Sequence, residues 1–267
     1  MAQRVIYLKS PEELAIIKEN GVILGKAHAE MAKAIKPGVS TKALDKIAAQ
    51  FIGDHGGVSS FLNYNGFPAS TCISVNEVVV HGLPSGRELK EGDLISIDCG
   101  VYKNKYHADS AYTYGVGEIN QNHRDLLSNT LQSLHLGIAQ VKAGNRIGDL
   151  SYAIQQFSES KGYGVVRELV GHGVGKYLHE APEVPNFGKR GNGPKMQAGM
   201  VIAIEPMITL GKRFVVQEND NWTIRTEDRK AAAHFEHTVL VTEKGFEILT
   251  TFSFIEEVLK NRKNEIV

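Results

Sequence analysis

A chain of 267 residues that is 42% hydrophobic and 22% charged can bury a large core without cross-links. Its 30 basic and 30 acidic side chains cancel, which removes the electrostatic footprint of a general nucleic-acid binder, and no apolar stretch approaches the roughly 20 residues of a membrane-spanning helix. Two cysteines, Cys72 and Cys99, are too few for a disulfide framework or a zinc ribbon and are expected to be buried thiols.

The first apolar run, Val5 to Leu8, is too short for the core of a secretory signal, so the cytoplasm is the expected address. Ser10-Pro11-Glu12-Glu13 then combines an N-cap serine, a proline at the first helical position and a capping-box glutamate, which predicts a helix to about Ile35. A second helix is expected from Ser40 to His55, stopped by Gly56-Gly57. Residues 94–102 and 106–114 flank Lys103-Asn104-Lys105 and read as an antiparallel hairpin with a three-residue loop. Helices follow near residues 121–141 and 147–161, and residues 235–242 and 246–251 form a second hairpin around Glu243-Lys-Gly245.

This order repeats itself. Glu91-Gly-Asp-Leu-Ile-Ser-Ile-Asp98 matches Ala198-Gly-Met-Val-Ile-Ala-Ile-Glu205 at an offset of 107, and Lys36-Pro-Gly38, Leu44 and Phe51 match Lys142-Ala-Gly144, Leu150 and Phe157 at 106. The chain therefore reads as two fused copies of one unit, about 8–117 and 118–251, within a single domain spanning 1–267. The expected fold class is α+β, with two pseudo-twofold-related halves sharing an antiparallel sheet and helices on the outside.

An acid ending an apolar strand is costly unless a cation meets it, and both copies of the repeated strand end in one. Asp98 and Asp109, eleven residues apart across the first hairpin, are expected nearly opposite each other. Glu205 and Glu236 take the corresponding places in the second copy, 31 residues apart. With His172 of Gly-His172-Gly-Val-Gly they make four carboxylates and one imidazole, an oxygen-rich set suited to divalent Mn, Fe(II) or Co, with Zn also accommodated. His234 shares a strand face with Glu236 and is a candidate to touch a ligating carboxylate, whereas His237 points away. His28, His55, His107, His123 and His135 are expected to be packing or surface residues.

Five separated motifs also carry a family resemblance: Val78-Val-Val-His81-Gly-Leu-Pro84, Asp98-Cys-Gly-Val with Ala108-Asp109-Ser, Gly171-His172-Gly-Val-Gly-Lys-Tyr-Leu-His179, Ile204-Glu205-Pro206 and Phe235-Glu236-His237-Thr238. In this order the chain resembles the type I methionine aminopeptidases of the pita-bread fold over about residues 8–251. The resemblance implies a metal-dependent hydrolase that removes initiator methionine. Asp98 would chelate one ion, His172 and Glu205 the other, and Asp109 and Glu236 would bridge both. Two ions roughly 3.5–4 Å apart can activate one water between them. Glu205 would also move the proton toward the leaving amine. By the same resemblance His179 and His81 donate hydrogen bonds to the substrate, and Tyr64, Phe67, Cys72, Leu178 and Trp222 wall a methionine pocket with Phe61 near its mouth. Leu178 and Phe67 stand where the family usually has an aromatic ring and often a tyrosine.

The implied partners are N-termini of nascent polypeptides carrying a small second residue, with transient ribosome contact, and a monomer is expected. Two rivals share the fold: a proline-specific peptidase, which usually carries an extra N-terminal domain, and a non-enzymatic peptide-binding module, which typically loses ligands that are all present here.

Overall fold

The computed structural model describes residues 5–265. The first half runs α1 (Pro11–Ala34), α2 (Thr41–Asp54), β1 (Val58–Ser59), a single 3-10 turn at Tyr64–Gly66, β2 (Thr71–Val75), β3 (Val78–Val80), β4 (Leu94–Lys103) and β5 (Tyr106–Gly115). The second runs α3 (Gln121–Ile138), α4 (Ile147–Ser160), β6 (Gly164–Val165), β7 (Gly171–Gly173), β8 (Glu180–Val184), β9 (Val201–Ile204), β10 (Met207–Thr209), β11 (Val215–Gln217), β12 (Ile224–Thr226), β13 (Ala232–His234), β14 (His237–Val241) and β15 (Phe246–Ile248). A closing helix, α5 (Ser253–Glu265), packs back on α1. No helix among the described residues is long and apolar enough to cross a membrane.

Helix α1 begins where its capping box requires. The Glu13 N–H donates to Ser10 Oγ at 3.4 Å and the Ser10 N–H to Glu13 Oε2 at 2.7 Å, satisfying donors that a helix start otherwise leaves open. Its buried stripe, including Ile17, Leu24, Ala27 and Met31, lies against β4 and β5. On β4 the residues facing the helices, Ile95, Ile97, Cys99 and Val101, are all fully buried. The alternate residues Ser96, Asp98 and Gly100 necessarily face the other way, toward the second half.

Several local features recur at the offset of the sequence repeat. Helices α2 and α4 are both 14 residues long and start 106 residues apart. Before each, a glycine takes a left-handed φ, +86° at Gly38 and +96° at Gly144, and donates its N–H to Leu89 O and Met196 O respectively. Single antiparallel bridges, Ser40 with Glu88 and Arg146 with Lys195, repeat the match.

The strands are antiparallel throughout their named pairings: β5 and the β1–β2 edge flank β4, β15-β14-β9-β7-β8 form a five-stranded sheet, and β13-β10-β6 and β11-β12-β3 form two smaller ones. The halves meet where β5 runs beside residues 232–241, and here threonine hydroxyls take over the ladder. Thr113 Oγ1 donates to His234 O at 2.7 Å and accepts from His234 N at 2.9 Å. Thr238 Oγ1 does the same to Asp109, donating to its O at 2.8 Å and accepting from its N at 3.1 Å. Between them Glu236 N donates to Ala111 O at 2.9 Å and Ser110 Oγ to Glu236 O at 3.1 Å. A valine keeps the shape of threonine and strips the hydroxyl. Thr238→Val is therefore expected to orphan a buried N–H and C=O on Asp109 and to cost about 1–3 kcal/mol, read as a drop in the urea midpoint; an unchanged midpoint would show that the seam does not depend on this hydroxyl.

The first hairpin differs in detail from its expected form. Lys103 pairs with Tyr106, so the loop has two residues, and Asn104 and Lys105 both take positive φ, 54° and 71°, as a turn matching strand twist demands. Asp98 lies in the middle of β4, not at its end, opposite Ala111, while Asp109 is opposite Gly100. The two acids are diagonal neighbours on one face, still within mutual reach.

Candidate functional site

Each acid reaches the space between the halves from a different local device. Asp98 and Asp109 alternate inward from the two strands of the hairpin. Glu205 comes just past β9, and Glu236 sits in the break between β13 and β14, held by its N–H on Ala111 O. His172 is the central residue of β7, where the register with β8 slips between His172 and Gly173, and such irregularities re-aim a side chain. Its glycine neighbours are required: a Cβ at Gly171 would lie 2.4 Å from Ala203 O, and one at Gly173 2.3 Å from Ala181 O.

His172 Nδ1 lies 2.8 Å from Gly173 O. Donation to that carbonyl assigns the proton to Nδ1 and leaves Nε2 as a lone-pair donor. Nε2 stands 3.6 Å from Glu205 Oε1 and 3.9 Å from Asp109 Oδ2. Candidate ligand atoms of Asp109, His172 and Glu236 all lie within 4.8 Å of one another. His234 Nε2 is 3.4 Å from Glu205 Oε2, so its ring faces that carboxylate.

The electrostatics of this cluster are those of charge lacking a counterion. Desolvation first, and then mutual repulsion, push the carboxyl pKa values of Asp98, Asp109 and Glu236 well above the ordinary range. Burial raises Glu205 to about 8 and lowers His172 to about 3. Asp98 Oδ1 and Glu236 Oε1 are buried with no hydrogen-bond partner. Buried polar atoms are rarely left so, and oxygen donors with one neutral imidazole suit hard or borderline divalent cations. The donor set thus fits divalent metal ions.

The cluster forms the floor of a cavity of about 370 Å³. On one wall, Phe61, Tyr64, Phe67, Cys72, Leu178 and Trp222 belong to one apolar cluster, with the Phe67 and Trp222 rings edge to face at 5.1 Å. Cys72 stands opposite Asp98 in the β2–β4 register; burial, then the nearby Asp98 and Asp109, raise its thiol pKa. His81 closes β3 at φ +57°, a left-handed conformation uncommon outside glycine, and enters the same cavity. His179 stands at the mouth, its ring 4.2 Å from that of His172 and its Nδ1 2.8 Å from the Tyr64 hydroxyl.

The nominated ligands and pocket residues all border this one space, while His234 lies behind it, against Glu205. Asn65, Val80, Glu168, Leu169, Val170 and Met207 also line it and were not nominated, although each adjoins a motif: Glu168–Val170 precede Gly171-His172, and Met207 lies two residues past Glu205. His28 is fully buried beneath β5, 3.0 Å from Ser110 O, and His237 stacks on Phe252 at 3.8 Å. His107 meets Ser60 Oγ at 2.9 Å. Cys72 and Cys99 are free, buried thiols.

Comparison with known proteins gives a consistent picture. The sequence pattern of metallopeptidase family M24 matches residues 15–243. Methionine aminopeptidase 1 of Bacillus subtilis (strain 168) is 51% identical over 246 residues, 92% of this chain and 99% of the relative. The crystal structure of methionine aminopeptidase from Thermotoga maritima superposes with a TM-score of 0.91 at 41% identity, and that from Rickettsia prowazekii with 0.91 at 35%; each alignment covers 92% of this chain and 100% of the other.

Proposed function

Because the chain belongs to metallopeptidase family M24 and folds as its pita-bread members do, we propose an assignment of roles within a metallo-aminopeptidase that removes N-terminal methionine. The observation that carries the assignment is the meeting of Asp98, Asp109, His172, Glu205 and Glu236 beneath an apolar wall, in one cavity. Asp98, Asp109, His172, Glu205 and Glu236 would hold the divalent ions, Asp98 toward one and His172 with Glu205 toward a second, with Asp109 and Glu236 available to both. The ions, when bound, supply Lewis acidity toward the scissile carbonyl and lower the pKa of water.

The chain's own groups do the rest. Tyr64, Phe67, Cys72, Leu178 and Trp222 enclose the methionine side chain, whose flexible thioether suits aromatic and thiol neighbours. His179 donates to the carbonyl oxygen as charge develops there, positioned by the Tyr64 hydroxyl at 2.8 Å, and His81 donates near the amide being cleaved. Glu205 handles the proton that passes from water to the leaving amine, with His234 beside it. Mn, Co, Fe(II) and Zn are all compatible with this donor set. The reading carries with it a cytoplasmic, monomeric enzyme, one catalytic domain built from two halves, acting on nascent N-termini near the ribosome.

Substrate choice tests it. Met-Gly, Met-Ala and Met-Ser peptides are expected to be cut well, Met-Lys and Met-Phe poorly because the second residue meets a crowded rim, and norleucine to replace methionine because it keeps shape and apolarity. Discrimination against leucine should be modest, since small differences in an apolar pocket are worth only about 1–3 kcal/mol, and Leu178 leaves more room than a ring. The measurement is kcat/KM over peptides varied separately at the first and second positions. Equal rates for methionine, lysine and proline-flanked substrates would overturn the methionine assignment even with the metal site intact.

A further inference from the structure

A second hollow, of about 580 Å³, opens beside the catalytic cavity and shares Tyr64, His172 and His179 with it. Tyr7 and Tyr177 stand at its far side, 48% and 58% exposed, in a neighbourhood where Val5 and Leu8 are also exposed. Apolar area concentrated in one exposed place marks a contact surface, and a tyrosine ring offers a rigid apolar face with a wet tip.

The frame under these two rings is fixed. Ile6 bridges to Ala181 and packs on the main core. The Lys9 N–H donates to Gly199 O at 2.8 Å. The Lys9 ammonium forms a buried ion pair with Glu180 and also donates to Tyr7 O at 3.1 Å, while Glu180 Oε1 accepts from Tyr177 N at 3.1 Å. A single ion pair therefore ties the backbone beside both tyrosines to the residue following His179.

We propose that this hollow binds the substrate polypeptide beyond its second residue, with Tyr7 and Tyr177 as its contact groups. The inference rests on the aminopeptidase reading, and the occupant follows from continuity. With the first side chain in the apolar pocket and the scissile carbonyl near His179, the remaining chain leaves across the wall that both cavities share. An extended peptide advances about 3.3 Å per residue, so the third and later residues arrive in the hollow. Its lining carries no lysine or arginine among the described residues. Recognition there is by aromatic contact, tolerant of sequence, as suits an enzyme acting on many different chains.

The test compares kcat/KM for C-terminally amidated Met-Ala-Ser with that for the same peptide extended by three residues. Extension is expected to raise kcat/KM about tenfold in the unaltered protein. In a Tyr7→Ser, Tyr177→Ser variant the ratio is expected to fall to about two or less, and in the corresponding pair of Tyr→Phe changes to persist. The ratio is taken within each protein, so a general loss of activity cancels, and the Tyr→Phe pair keeps the ring that the Lys9 ammonium lies over at Tyr7, 5.7 Å from its centroid. Equal efficiency for short and long peptides, or an undiminished ratio in the serine variant, overturns the assignment of the hollow and leaves the aminopeptidase reading standing. Failure to cut either peptide overturns both.

Discussion

Chelation of divalent ions is expected to abolish peptide hydrolysis, with Mn, Co or Fe(II) restoring it. The physical ground is the crowding of Asp98, Asp109, Glu205 and Glu236 into one cavity floor, where Asp98 Oδ1 and Glu236 Oε1 have no other partner. Full activity in a sample shown metal-free by elemental analysis would end this account. A stability signature accompanies it. With burial raising Glu205 to about 8 from the ordinary glutamate value of 4.5, the metal-free folded state keeps a proton that the unfolded chain has lost. The contribution of Glu205 to the unfolding free energy then falls as pH rises through that window. Below about pH 6.5 the histidines that desolvation holds at about 3 to 4 act in the opposite sense, because the unfolded chain would protonate them. The melting temperature of the metal-free protein should therefore decline between about pH 7 and pH 8, and a bound divalent ion should raise it and flatten the decline, since binding to the folded state alone stabilises it.

His172→Ala and His179→Ala are expected to fail differently, although their rings are 4.2 Å apart. His172 presents Nε2 to two acids, so its loss should weaken metal affinity by at least about tenfold. His179 faces the mouth and hydrogen-bonds Tyr64. Its loss should leave metal content nearly intact while kcat/KM falls by about 10²–10³, the worth of a donor aimed at a developing oxyanion. Elemental analysis beside kinetics separates the two. Loss of metal in the His179 variant would move that residue into the metal site.

Local signals in the sequence were strong wherever structure is decided locally. The Ser10 capping box, the glycine turns at Gly38 and Gly144, and the paired 14-residue helices follow from short-range chemistry and from the internal repeat. The acids were legible for the same reason, as charge placed against apolar strands. What depended on register was not. Alternation places Asp98 and Asp109 on one face, but only the two-residue turn at Asn104-Lys105 decides that they are diagonal neighbours. The seam residues Thr113 and Thr238 were invisible beforehand, because nothing in a lone threonine announces that its hydroxyl will stand in for a backbone ladder across more than a hundred residues. Tyr7 and Tyr177 share that obscurity: each is an unremarkable loop tyrosine until the fold sets both beside His179.

The seam also sets when the protein becomes competent. One pair of acids is contributed by a hairpin that forms locally, while Glu205 and Glu236 arrive only when the far half docks and Thr238 closes on Asp109. Contacts so distant along the chain are the slow ones in folding. A partly folded or truncated chain therefore owns at most half of the acidic floor, and the ion that would complete it rewards only the finished assembly. On the proposed assignment of ligands, a chain whose second half has not docked lacks Glu205 and Glu236 and would not hydrolyse peptides.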